Sequence, residues 1–337
     1  MSQKIGLYVM SASAFELAYG PAARGAIARH VRFAAEPQSA ESLAARPGLM
    51  ADVEVLFSGW GPPRVDSAFL DRAPKLRAIF YAAGAVGAWT TPALWDRGVQ
   101  ITTASHANAI PVAEYALATI LLSLKRVLPA ARAARASRSF KMPMVPPGNF
   151  GSTVGLVSLG VIGRRLLELL RPFDLRVIAH DPFLTPAEAD RLGVTPATLD
   201  EVFATADVVS LHTPLLRETA GLITRRHFAA MRPGATFINT ARGGVVVEPD
   251  LIAVARERDD LQFVLDVTAP EPPDPGSPLY DLTNVLLTPH LAGSVGPECH
   301  RLGQTMAEEL ERYVAGQPLK WAITREAAQR SAHRPVG

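Results

Sequence analysis

Three residues in this chain have the types and spacing to do chemistry together. Arg242, Glu271 and His290 lie in Ile238-Asn-Thr-Ala-Arg242-Gly, Leu265-Asp-Val-Thr-Ala-Pro-Glu271-Pro and Leu287-Thr-Pro-His290-Leu-Ala-Gly293. Each segment follows or continues an apolar run that reads as a buried strand, so each delivers one functional group at a strand's carboxyl end. A guanidinium offers a planar fork of donors to a carboxylate. An imidazole is a general acid, and a neighbouring carboxylate keeps it charged. That combination suits reduction of a carbonyl beside a carboxylate. Taken singly, each has a plainer reading: a surface ion pair, an exposed turn carboxylate, a structural histidine. The ordered set at strand ends is what points to a reaction.

A hydride source is suggested upstream. Val154-Gly-Leu-Val-Ser158-Leu-Gly160-Val-Ile-Gly163 runs from strand through a tight turn into helix. The start of that helix offers free N–H groups and a positive dipole end to a pyrophosphate. Gly160 permits close approach of phosphates and Gly163 lets helix meet strand. Ser158 stands where a G-x-G-x-x-G turn has its first glycine, so strain or a variant geometry is expected there. Asp181 ends the next strand, where a carboxylate grips a ribose 2′-hydroxyl and repels a 2′-phosphate. Pro182 follows where an arginine would favour NADP, so the expected cofactor is NAD. Pro182 and Pro186 are expected to interrupt any helix that Asp181 might cap.

Apolar runs alternating with helical stretches predict an α/β protein. Strands are expected over Ile5–Val9, Val53–Phe57, Ala78–Tyr81 and Gln100–Thr102, with helices at Asp66–Asp71 and Pro92–Arg97 and a long buried helix from Asn108 to Arg126. A Pro-rich stretch, Met142-Pro-Met-Val-Pro-Pro-Gly148, leads into a second series. Its strands are Val154–Leu159, Arg176–Ala179, Val208–Leu211, Thr236–Asn239, Phe263–Val267 and Val285–Leu287, six in number and enough for a doubly wound dinucleotide fold. Helices Ile162–Leu170, Leu199–Ala204, Arg225–Met231 and Pro249–Glu257 fall between them. Helix Pro297–Val314 follows, and Thr324–Gly337 reads as a frayed tail.

Composition narrows the function classes. The 337 residues imply about two domains. A net charge of +2 implies no field for nucleic acid or an anionic membrane. Arg126, Arg132, Arg135, Arg138 and Lys141 recur at multiples of three and read as the solvated face of a connector. The single cysteine, Cys299, forbids an internal disulfide and suits a cytoplasmic setting. The apolar helix near Ala109 to Leu124 is expected to fall short of the roughly 20 residues that span a bilayer. No His, Cys and carboxylate cluster has metal-ligand spacing, so no metal is expected. His30, His106, His180, His212, His227, His300 and His333 read as structural or surface residues.

Taken together the motifs resemble the D-isomer-specific 2-hydroxyacid dehydrogenases, over about Val53 to Trp321. The resemblance rests on the glycine loop with Asp181, His212-Thr-Pro-Leu with Thr219-Ala-Gly-Leu-Ile, Asn239-Thr-Ala-Arg242-Gly-Gly, Asp266-Val with Glu271-Pro, and Thr288-Pro-His290-Leu-Ala-Gly293. It implies that Arg242 clamps the substrate carboxylate, that His290 protonates the carbonyl oxygen, and that Glu271 favours the charged imidazole. It implies that Asp266 and the backbone of Thr240 and Ala241 hold the nicotinamide amide, with Gly293 beside it. Val161 and Ile162 would lie under the pyrophosphate, and Thr213, Pro214 and Thr219 would belong to the adenosine side. It further implies a flavodoxin-like substrate domain formed by residues 1–108 and 297–325, a Rossmann NAD-binding domain at 109–296 inserted into it, and a flexible tail at 326–337. The chain would cross first near Asn108 and return near Gly296, with ligand between the domains and homodimers formed through the NAD-binding domains.

Two segments depart from the family. Gly84, Ala85 and Val86 align with a loop whose backbone amides bind the carboxylate. The family's acidic residues after it are missing, because Gly87-Ala-Trp89-Thr stands there. Relatives that act on phosphorylated substrates have a basic residue near Trp60 that reaches the phosphate; an indole cannot pair with one, which argues against 3-phosphoglycerate. Trp60 and Trp89 either line an apolar pocket for a larger or aromatic 2-keto acid or pack the smaller domain's core. A glutamate at 271, where a glutamine would be neutral, argues against formate dehydrogenase chemistry. The expected activity is reduction of a 2-keto acid by NADH with D-stereochemistry, with no nucleic-acid or membrane partner. The alternative is an NAD(H)-sensing, corepressor-like binding protein on the same scaffold.

Overall fold

The protein is described from a computed structural model, covering residues 3–140 and 144–330. Lys141, the start of the Pro-rich stretch and residues 331–337, His333 among them, lie outside the described residues. The chain divides into two compact units, Met1–Asn108 with Ser294–Gly337, and Ala109–Gly293. The chain leaves the first unit at Asn108 and re-enters it at Ser294, three residues before the expected return. The two points are tied, because the Ser294 amide donates to Asn108 Oδ1 at 2.9 Å.

The first unit is built on β1 (Lys4–Tyr8), β2 (Val31–Phe33), β3 (Val55–Ser58), β4 (Ala78–Tyr81) and β5 (Gln100–Thr103). They pair in parallel in the order β2-β1-β3-β4-β5. Helices cover both faces, so β3 and β4 are buried throughout; β4 reads as an unbroken apolar run and β3 as one that ends at Ser58. One core cluster includes Leu7, Leu56, Phe69, Ile79 and Trp89; another includes Tyr19, Phe57, Phe80, Leu302 and Met306. The returning segment is held by the buried Glu309, whose carboxylate accepts from Thr102 Oγ1 at 2.7 Å and from the Lys320 and Trp321 amides at 3.0 Å.

The second unit is built on β6 (Thr153–Val157), β7 (Arg176–His180), β8 (Thr195–Pro196), β9 (Val208–Leu211), β10 (Thr236–Asn239), β11 (Gln262–Leu265) and β12 (Val285–Leu287). All pairs are parallel, in the order β12-β11-β10-β9-β6-β7-β8. This is the doubly wound dinucleotide fold, with its topological switch point between β6 and β9. Asn239 pairs with Leu265 and Leu265 with Leu287, so three strand ends align in one row.

Several local expectations need correction. The second sheet has seven strands rather than six, and β2 and β8 are too short, at three and two residues, for any periodicity to show. Pro186 opens helix Pro186–Leu192 instead of interrupting one, because proline costs nothing at a first helical position and Thr185 caps the turn. The long helix spans Ser105–Leu124, 20 residues, which by length and composition is enough to cross a membrane. Its Ala113, Ala116, Ile120 and Leu124 are buried in the core of the second unit. The tail does not begin at residue 326: Thr324 caps helix Arg325–Arg330, Ala328 is buried in the first core, and Arg325 pairs with Asp96 at 2.9 Å.

Of the arginines expected on a solvated face, Arg132, Arg135 and Arg138 are exposed and Arg126 is the exception. Arg126 is buried, with a left-handed backbone at φ 52°, and its guanidinium donates to the carbonyls of Gly234 at 2.6 Å and Asp260 at 3.0 Å. Arg132 bonds Gln262 at 2.8 Å. The two fasten helix Val127–Ser137 to the start of β11.

Candidate active site

The site in the second unit is assembled from strand ends. After β10, the Asn239 amide bridges the next turn: Nδ2 donates to the Arg242 carbonyl at 3.2 Å and Oδ1 accepts from the Ala241 amide at 3.0 Å. This holds Arg242, which burial pulls below its ordinary pKa while the Glu271 charge opposes the shift. Arg242 Nη1 donates to the Ala241 carbonyl at 2.6 Å, and its other donors have no acceptor among the described residues. Gly243 is required by crowding, since a Cβ there would collide with the Thr268 carbonyl. The turn carrying Arg242 therefore presses on the loop that leads to Glu271.

After β12, His290 adopts a left-handed backbone at φ 51°, a costly conformation for a residue with a Cβ. Its Nδ1 lies 2.5 Å from Glu271 Oε1, with both side chains about half-exposed. Protonated Nδ1 donates to the carboxylate, which leaves Nε2 as the nitrogen available to a substrate. The turn is held by the buried Asp266. Its Oδ1 accepts from Thr288 Oγ1 at 2.6 Å and the Leu291 amide at 2.9 Å, and its Oδ2 accepts from the Ala292 amide at 2.9 Å. Tyr115 bonds Thr288 at 3.2 Å. Asp266 thus has both oxygens committed to the histidine turn, a task its place in the sequence did not reveal. The sequence gives no sign of the parts played by Thr288 and Asn239 either, although both sit within the motifs that carry His290 and Arg242.

At the switch point, Ser158 has φ 75°, and its hydroxyl bonds Thr213 Oγ1 at 2.8 Å. The serine keeps the turn a glycine would make, at the cost of left-handed strain, with the hydroxyl pair as partial compensation. A Cβ on Gly163 would collide with the Ser158 carbonyl, so helix Val161–Leu170 can begin this close only with glycine there. A Cβ on Gly160 would meet nothing within 4 Å. The amides of Gly160, Val161 and Ile162 have no acceptor among the described residues, and Val161 is exposed. Asp181 accepts from the Leu159 amide at 2.7 Å and the Phe183 amide at 2.8 Å, so it caps the glycine loop and its own turn, not a helix.

Two buried polar atoms lack a partner at neighbouring strand ends, His212 Nδ1 after β9 and Thr240 Oγ1 after β10. His212 Nε2 meets Ser210 Oγ at 3.0 Å, and burial pushes the imidazole down to about 4. Open space over Gly160, free amides and orphaned acceptors or donors beside the switch point fit a dinucleotide. Thr219 closes the loop after Pro214, with bonds to the Pro214 carbonyl at 2.5 Å and the Leu216 amide at 2.8 Å. Gly293 directly follows the Asp266-bound turn. Among the described residues no group of three or more His, Cys, Asp or Glu could hold a metal ion.

In the first unit, the amides of Gly84, Ala85 and Val86 have no acceptor among the described residues, while the Val86 carbonyl accepts from Trp89 and Thr90. Trp89 is buried against Tyr81 at 5.0 Å and belongs to the core, which removes it from any pocket. Trp60 remains exposed, at 39%.

Residues 117–292 match the family model for the D-isomer specific 2-hydroxyacid dehydrogenase, NAD binding domain. The chain belongs to the D-isomer-specific 2-hydroxyacid dehydrogenase family. The family's NAD-binding domain supports NAD as the cofactor. Among its relatives, D-3-phosphoglycerate dehydrogenase of Mycobacterium bovis is 37% identical over 254 residues, 75% of this chain and 48% of that protein. The chain spans about half the length of the curated relatives it matches. Among solved structures, the TT0316 protein of Thermus thermophilus is 29% identical with a TM-score of 0.75, covering 95% of this chain and 100% of its own. A phosphoglycerate oxidoreductase from Rhizobium etli, 23% identical with a TM-score of 0.81 over 96% and 99% of the two chains, shares the fold.

Two outcomes follow from this geometry. Ser158→Ala loses the Thr213 bond but keeps the strain, so it should destabilise by about 1 kcal/mol, and Ser158→Gly, which relieves the strain, by less. Equal melting temperatures for the two variants would contradict the balance. His212 is held neutral, so the unfolded chain binds its proton first as pH falls from 6.5 towards 4. Stability is full above that window and lost within it, by about 2 kcal/mol at pH 5. Urea midpoints at pH 7 and pH 5 should separate further in the native chain than in His212→Gln.

Proposed function

We propose that this protein is an NAD-dependent reductase of 2-keto acids yielding D-2-hydroxy acids, working in a cytoplasmic setting. The observation that supports it most is the Glu271–His290 pair, standing one and two strands respectively from an Arg242 whose free donors lack an acceptor. Arg242 binds the substrate carboxylate and polarises the carbonyl beside it. His290 donates its Nε2 proton to the carbonyl oxygen, and Glu271 keeps the imidazole oriented through Nδ1. The glycine loop, Asp181 and the ends of β9 and β10 would hold NADH, which would supply the hydride to C2. The carbonyl becomes an alcohol, the cofactor leaves oxidised and the imidazole is left neutral, to be reprotonated from water. The open amides of Gly84, Ala85 and Val86 are a second candidate anchor for a carboxylate.

His290→Ala is expected to lower kcat by about 10²- to 10⁴-fold while NADH still binds, and Glu271→Gln to lower kcat with less effect on KM. Stopped-flow reduction with parallel fluorescence titration of NADH measures both. Unchanged turnover in His290→Ala removes the assignment. Tight NADH binding with no turnover of any 2-keto acid favours the corepressor-like sensor.

We further infer a homodimer formed through the second unit. Exposed apolar side chains gather between residues 122 and 150: Leu122, Val127, Phe140 at 99%, Val145 and Phe150. Helix Val127–Ser137 buries none of its residues. A monomer rarely leaves such side chains in water. The Phe140→Glu, Phe150→Glu double variant should sediment as a monomer at micromolar concentration where the native chain sediments as a dimer; a native monomer excludes the inference.

A further inference from the structure

We propose that Glu248 is a positioning residue for the reduction: it anchors the loop that carries Glu271 and so sets the Glu271–His290 pair, an inference that rests on the reductase reading above. Residues 267–276 run Val-Thr-Ala-Pro-Glu-Pro-Pro-Asp-Pro-Gly. Pro270, Pro272, Pro273 and Pro275 carry no N–H, so the loop is poor in backbone donors. Of the amides that remain, only that of Ala269 has an acceptor among the described residues, and the acceptor is Glu248 Oε2 at 3.1 Å. Thr268 Oγ1 closes the loop on itself, donating to the Pro270 carbonyl at 2.7 Å. The Tyr280 hydroxyl reaches the Pro273 carbonyl at 3.3 Å, but only beyond Glu271. Between Val267 and Glu271, the Glu248 carboxylate is therefore the one hydrogen-bonding tether from another element among the described residues.

This placement couples the arginine turn to the acid–base pair. Glu248 opens helix Glu248–Glu257, six residues past Arg242. Asn239, Gly243, Glu248 and Thr268 line one small cavity of about 10 Å³. Asn239 holds the Arg242 turn, Gly243 presses on the Thr268 carbonyl, and Glu248 takes the next amide along. Glu271 follows two residues later and meets His290 Nδ1 at 2.5 Å, a geometry that has to be held to within about 0.5 Å. An acid in the first turn of a helix has a plainer task, complementing the positive end of the helix dipole. Asp250 of the same turn accepts from the Arg225 amide at 2.8 Å, at the far side from the loop's Ala269. Glu248 instead sits half-buried, where burial pushes its carboxyl up, the Ala269 amide pulls it down and the Asp274 charge pushes it up again.

The test is a double-mutant cycle on the full chain, read as the single-turnover rate with NADH and whichever of glyoxylate, pyruvate and phenylpyruvate the native chain reduces fastest. Glu248→Ala should lower that rate about tenfold, with NADH affinity and melting temperature as controls for folding. Glu248→Gln keeps an acceptor at the same reach and loses only the charge, so it should recover most of the loss. In a Glu271→Ala background nothing remains to be positioned, and Glu248→Ala should cost less than about twofold more. A purely structural role would lower the melting temperature and leave the same fold-change in both backgrounds. No loss in Glu248→Ala, no recovery in Glu248→Gln, or equal losses in the two backgrounds overturns the proposal alone. No turnover of any of the three acids by the native chain overturns the reductase reading and this proposal with it.

Discussion

The register of three neighbouring strands sets everything else in the second unit. Asn239, Leu265 and Leu287 share one row of a parallel ladder. Arg242 stands three residues past the row, His290 three and Glu271 six. A slip of one residue on any strand would turn its side chains to the opposite face and carry its functional group away. Apolar side chains on both faces of β10 and β11 oppose such a slip, since each is buried from end to end. The register that serves the core therefore also aligns the chemistry.

Alignment brings the groups near, and hydrogen bonds to backbone fix them. Asp266 is a buried carboxylate whose two oxygens accept three bonds from the turn carrying His290. An unpaired charge at that depth would be expensive, and the turn, at φ 51°, would not hold itself. Each problem meets the other's need. Asn239 does the same for Arg242 with a neutral amide, and Gly243 lets the arginine turn and the Thr268 loop touch. The supporting polar groups are as much a part of the machinery as the three that would meet substrate.

The two units carry separate kinds of information. The second holds Arg242, Glu271, His290 and the glycine loop, and its motifs are the ones the family shares. The first carries an exposed Trp60 and the open amides of Gly84, Ala85 and Val86, in the segments where the sequence departs from its family.

Much of this was legible in the chain itself. Mostly apolar runs of four or five residues announce strands buried on both faces, so β3, β4, β6, β9, β10 and β11 were readable. The identities of Arg242, Glu271, His290 and Asp181, and their distance past those runs, are properties of local order. What local order did not disclose depends on residues distant in sequence. β2 and β8 exist only because a neighbouring strand pairs with them. Arg126 looks like a solvated cation until the carbonyls of Gly234 and Asp260 enclose it. Trp60 and Trp89 are equivalent as letters, and only packing against Tyr81 buries one and leaves the other in water. Asp266 and Ser158 read as cofactor residues, but the turn each one holds is set by partners 22 to 26 and 55 positions away. Sequence thus determined which functional groups are present and at which strand ends. Tertiary structure decided which of them are free to meet a ligand, because freedom is what remains after every nearby donor, acceptor and apolar surface has found its partner.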